Sequence, residues 1–202
     1  RHTRYGTVTG VQTCALPISE ALDTNPNCTR SAFYLAQSHY DNGDHDQALH
    51  WYRKRVILGG WWEEIFYSKL RIGQCLESLG KGFGEVSAAY LDCFEYRPQR
   101  AEPLFELARM CREHKRHQAG YLYARAGVDI PFPENDLLFV NAAVYRWRLQ
   151  DELAIHAYYT DRFAESASLL KDLLASGEAP PEHVSRLREN LRFATQKLSH
   201  AP

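Results

Sequence analysis

One feature constrains this chain more than any other: a helical spacing of apolar residues, interrupted by turn signals at short intervals. From about Asn25 onward, apolar residues recur three and four apart, and no stretch alternates with period two. Turn residues fall at Asn42-Gly43-Asp44, Gly59-Gly60, Gly80-Lys81-Gly82, Arg97-Pro98, Pro131-Phe132-Pro133, Ser176-Gly177 and Pro180-Pro181. The segments between them predict helices near 29–42, 45–58, 62–79, 84–96, 101–114, 117–129, 137–149, 151–160, 163–175 and 181–198. Antiparallel pairs joined by short turns follow from that spacing.

The pairs repeat. Leu35-Ala36, Gly43, Ala48 and Tyr52 mark a first unit, and Ile72-Gly73, Gly80, Val86, Tyr90 and Cys93 a second. Leu107-Ala108, Cys111, Gly120, Ala124 and Gly127 mark a third, and Leu153-Ala154, Ala157, Phe163, Ser166 and Leu170 a fourth. This alternation of small and large residues resembles the tetratricopeptide repeat, a helix–turn–helix unit of about 34 residues. Small side chains let two helices cross closely, and large neighbours fill the remaining space. Ordering one unit costs about 35–70 kcal/mol of backbone entropy, so a lone hairpin cannot persist and must stack on its neighbours. The expected fold is all-α: an α-solenoid of about four such repeats over 25–202, closed by a capping helix at Pro181–Leu198. That last segment is amphipathic, with Val184, Leu187, Leu191, Ala194 and Leu198 on one stripe.

Residues 1–24 stand outside the pattern. Up to Ser19 they hold no Asp or Glu and show no periodicity, and they resemble the translated adaptor sequence that heads reading frames assembled from environmental DNA. A non-native or disordered leader is the expectation, with Cys14, His2 and Arg4 playing no part. The only methionine is Met110, which implies a fragment or a processed product.

Composition excludes several classes. Twenty-four Lys and Arg against twenty-five Asp and Glu give a net charge of −1, without the basic excess of a nucleic-acid binder. No apolar run approaches the ~20 residues of a membrane span. The five cysteines (14, 28, 75, 93 and 111) have no short paired spacing, which points to reduced thiols and a cytoplasmic protein rather than a disulfide framework or a zinc site.

A narrower resemblance rests on Arg30–Gln37 (RSAFYLAQ), Arg100–Leu104 (RAEPL), Leu138-Phe139-Val140 and Asp151–Ile155 (DELAI). The chain is similar over roughly 25–195 to the tetratricopeptide-repeat tail that follows the catalytic domain of bacterial family-2-type glycosyltransferases. It departs at the longer turn Gly80–Gly84 and at Arg55, where a small residue is usual. The sugar-nucleotide domain, with its strand-borne DxD metal motif, would lie upstream. The resemblance implies a non-catalytic scaffold for protein–protein interaction or dimerisation, with a stand-alone adaptor as the alternative.

Candidate chemical motifs read as structure. Asp41, Asp44 and Asp46 lack calcium-loop spacing and suit a helix N-cap. Gly80–Gly84 follows a helix and lacks the GK[ST] ending of a phosphate loop. Cys111, His114 and His117 lack a fourth metal ligand, and Glu63-Glu64 suit a helix dipole. Glu152 and His156 are expected as a surface pair, and Trp61, Trp62, Phe66 and Tyr67 as inter-repeat core, with an interface role as the alternative. No catalytic residue, metal or cofactor is expected. Partner contact is expected on a concave face lined by the first helix of each pair. There Arg30, Tyr34, Gln37 and Tyr40 lead, followed by Arg71 and Gln74, then Arg109 and Arg112, then Tyr158 and Tyr159. Tyr and Arg dominate binding hot spots because they combine area, rigidity and donors. The expected partner is a protein or peptide, an attached glycosyltransferase domain or a second copy of the chain.

Overall fold

The computed structural model describes residues 24–199, and these are helical with no strand among them. In chain order the helices are α1 (Thr29–Asp41), α2 (His45–Leu58), α3 (Trp62–Ser78), α4 (Phe83–Tyr96), α5 (Glu102–Glu113), α6 (His117–Val128), α7 (Leu149–Tyr159), α8 (Phe163–Ser176) and α9 (Pro181–Ser199). A π-helical turn, Val144–Arg148, runs directly into α7. The expected leader lies outside the described residues apart from Thr24. Two compact units divide within α4, after Cys93. No described helix is long and apolar enough to cross a membrane.

In the first unit, α1 packs on α2 and α2 on α3. The turn Asn42–Asp44 works as its sequence suggests. Gly43 takes a φ of 78°, and the Asp44 carboxylate accepts a hydrogen bond from the Gln47 amide at 3.3 Å. The notch at Gly73 is real: a Cβ there would meet the Tyr90 ring at 2.4 Å. Arg55, the departure noted above, is buried in an ion pair. Its Nη2 lies 2.8 Å from Glu64 Oε2, and its Nη1 donates to the Gly59 carbonyl at 2.6 Å. Glu63 and Glu64 are both buried, so Glu64 is a counter-ion rather than a solvated first-turn acid. The aromatic cluster also divides: Phe66 and Tyr67 are buried, whereas Trp61 and Trp62 are 44% and 36% exposed.

In the second unit, successive helices pack from α5 to α9. Gly120 and Gly127 admit a ring and a branched side chain. A Cβ on Gly120 would stand 2.2 Å from the His156 ring, and one on Gly127 would stand 2.9 Å from Leu149. Two helices were expected at 137–149 and 151–160. Instead, residues 129–141 form a loop and a single helical run covers 142–159. Nothing between Leu149 and Asp151 breaks a helix, while Phe139, at φ 48°, lies within the irregular stretch. The loop is held by buried charge. Arg100, fully buried, donates to Glu102 at 2.7 Å and to Asp136 at 3.1 Å, and the Asn141 amide donates to Glu102 at 3.2 Å. The RAEPL segment is therefore the anchor of this loop. α8 ends on Gly177 in the left-handed region, and α9 buries Leu187 and Ala194 while Leu198 stays exposed.

Candidate functional site

The expected binding residues fall on both units. In the first, Arg30 donates to the Tyr34 hydroxyl at 3.2 Å, and both are exposed. Gln37 accepts a hydrogen bond from the buried Tyr52 hydroxyl. The Arg71 guanidinium lies 4.0 Å from the centre of the Tyr40 ring and 4.9 Å from that of Tyr67, and Nη1 donates to Gln74 at 2.9 Å. Its Nε is buried without a hydrogen-bond acceptor among the described residues. Burial and the nearby tyrosines act oppositely on Arg71, and its proton is held more tightly than usual.

In the second unit, Arg109, Arg112, Tyr158 and Tyr159 share one groove of about 960 Å³. Three elements supply most of its lining, and Lys115, His117, Ser166 and Leu170 complete it. α5 supplies Phe105, Arg109 and Arg112, and the π turn with α7 supplies Trp147, Arg148 and the face from Asp151 to Tyr159. α9 closes the far side with His183, Arg186 and Phe193. The π turn matters because an inserted residue rotates the helix face that follows it. Tyr145 turns toward α5, where its hydroxyl donates to Glu102 at 2.8 Å, while Trp147 and Arg148 line the groove.

Ion pairs fix three of the groove's arginines. Arg112 Nε donates to both Glu152 oxygens at 2.9 and 3.1 Å, forty residues away in sequence. Arg186 spans from α9 to α7 through a two-point bond with Asp151 at 2.7 and 3.1 Å. Arg109 is clasped by Glu106 and Glu113 on its own helix. Burial pushes the Glu152 carboxyl above its ordinary range, an effect opposed by Arg112. Two cations have no such clasp. Arg148 lies 4.9 Å from the centre of the Phe105 ring and Lys115 stands exposed on the turn after α5, and among the described residues neither has a carboxylate in ion-pair range.

Glu152 and His156 are not a surface pair. Both are buried, His156 completely. His156 Nε2 stands 3.0 Å from the Ala108 carbonyl, which can only accept, so Nε2 carries the proton. Its Nδ1 then accepts from His117 Nδ1 at 3.3 Å. Burial first, then the positive neighbours, pulls His156 down to about 4. His117 is lowered for the same reasons, and its ring stacks on Tyr159 at 4.2 Å. Sequence spacing could not reveal this cluster, because His117 and Ala108 approach His156 from other helices. Among the described residues, no group of three or more His, Cys, Asp or Glu is placed to hold a metal ion.

Residues 18–57 match the family model of the tetratricopeptide repeat. No curated protein sequence matches the chain. Among solved structures, the chain is similar to MamA, with 13% identity and a TM-score of 0.66 over 88% of this chain and 97% of that one. It is also similar to BtubC from P. vanneervenii, with 12% identity and a TM-score of 0.69 over 94% and 82%. YrrB, described as a tetratricopeptide-repeat protein with an unusual peptide-binding site, aligns at 9% identity and a TM-score of 0.60 over 96% and 86%. Residues 18–57 therefore match a tetratricopeptide repeat, and the chain shares, over most of its length, the all-helical fold of these structures.

Proposed function

We propose that this chain is a non-catalytic scaffold whose second unit receives an extended segment of a partner protein in the groove between α5, α7 and α9. One observation carries the reading: the groove combines aromatic side chains with arginines held in place by their own carboxylates. Side chains already immobilised lose little entropy on binding, and this is how a preformed site gains affinity. The fold supports the same conclusion, because stacked helical hairpins present extended surfaces for recognition. We assign the chain no reaction.

A sequence resemblance supports a setting for the partner. RSAFYLAQ and RAEPL support a scaffold attached to, or assembled with, a glycosyltransferase. The gene upstream of Glu20 separates that reading from a stand-alone adaptor. A continuous frame encoding a sugar-nucleotide domain supports attachment, and a start codon beside Glu20 overturns it. The groove itself is tested by selecting a displayed peptide library on the full chain. Recovered peptides should lose binding to Tyr158→Ala and Arg112→Ala, with the helical circular dichroism retained. Peptides that bind every groove variant as tightly as the parent would remove the groove as the site.

A further inference from the structure

The chemistry of the groove's occupant can be named, given that the groove binds a polypeptide at all. Five cations line it (Arg109, Arg112, Lys115, Arg148 and Arg186) and two carboxylates, Asp151 and Glu152. Both carboxylates are taken up by Arg186 and Arg112, and Arg109 is neutralised by Glu106 and Glu113. Arg148 and Lys115 remain. Among the described residues, each lacks a carboxylate within ion-pair distance, although the chain as a whole carries a net charge of −1.

These two cations mark opposite ends of α7. Arg148 immediately precedes the helix, over Phe105. Lys115 precedes His117, whose ring stacks on Tyr159 at the helix's last turn. At about 1.5 Å per residue, the length of α7 separates them by roughly 16 Å. An extended chain covers that span in about four to five residues. We propose that the occupant is an acidic segment in extended form, with two carboxylates about four to five residues apart, one on Arg148 and one on Lys115. The residues between them would pack on Ile155 and Tyr158.

The test uses three labelled decapeptides against the full chain, read by fluorescence anisotropy. One carries two Glu four residues apart, flanking Leu and Tyr. The second has Gln in place of both Glu, and the third has the same composition with the two Glu adjacent. The spaced acidic peptide should bind at least about tenfold more tightly than either control, with affinity falling as salt rises. Arg148→Gln and Lys115→Gln should each erase most of that advantage, and Arg148→Lys should retain it. Equal binding of the Gln peptide, lost on Tyr158→Ala, would overturn the acidic occupant while leaving the groove reading intact. Absence of any binding sensitive to Tyr158 would overturn both.

Discussion

Replacing Gly73 by Ala tests whether helix crossings in this fold depend on absent side chains. The new Cβ would stand 2.4, 2.6 and 2.9 Å from three atoms of the Tyr90 ring. Carbon atoms in contact settle at about 3.5–4.0 Å, so the ring must retreat by roughly an ångström. Tyr90 is fully buried, and its hydroxyl is tethered to Glu77 at 3.1 Å, so retreat is costly. Overpacking of this kind costs about 1–3 kcal/mol, while Ala regains up to ~1 kcal/mol of helix propensity over Gly. The expected net loss is about 1–2 kcal/mol, read by urea unfolding followed at 222 nm. Gly84 supplies the contrast, because a Cβ there meets nothing within 4 Å. Gly84→Ala should therefore leave stability unchanged or raise it by up to ~1 kcal/mol. In a Tyr90→Leu background, the Gly73→Ala penalty should largely vanish, a coupling of at least about 1 kcal/mol. A Gly73→Ala chain as stable as Gly84→Ala would refute the notch.

Three further outcomes follow from buried groups. His156 folds neutral, with its pKa near 4 against an ordinary 6.5, so it contributes stability that is present above pH 6.5 and lost as pH falls toward 4. That loss is about 3 kcal/mol, and His156→Gln should flatten it when Tm is compared at pH 7.5 and 4.5. Glu64→Ala strands the fully buried Arg55 and should cost about 3–5 kcal/mol by urea unfolding. Burial pushes the Cys75 thiol up to about 12, whereas hydrogen bonds from Ser31 lower that of Cys28. In a Cys14→Ser background at pH 8, a thiol reagent should label Cys28 within minutes, and Cys75 only once the chain unfolds.

Much of the fold could be read from spacing because its governing contacts are local or repetitive. Glycine inside a helical pattern is costly, so Gly73, Gly120 and Gly127 announced close approaches before any partner was known. The turn at Asn42–Asp44 was equally plain, since Gly43 and Asp44 each satisfy a short-range requirement. What escaped was pairing across elements. Arg55 looked like a mismatch because its partner, Glu64, sits beyond the Gly59-Gly60 turn on the next helix. His156 looked solvent-facing because the cleft that receives it is the absence of a side chain at Gly120. The continuous helix through Leu149 was missed because the irregular stretch that should have preceded it reaches Asn141, well past its prolines. Within the groove, repeat position located Arg109, Arg112, Tyr158 and Tyr159, but not the clasp between Arg112 and Glu152 across forty residues. Arg148 and Lys115 carried no sequence signal, because what distinguishes them is that no carboxylate among the described residues comes within ion-pair distance in the fold.

The account stands or falls on whether the second unit's groove is where a partner segment lies. Amide hydrogen exchange of the full chain, with and without a peptide selected on it, reads this directly. Protection should concentrate on α5, on α7 with its preceding π turn, and on α9, with the first unit little changed. Protection confined to α1–α3, or spread over α6 and α8 while α5, α7 and α9 exchange as before, would contradict it.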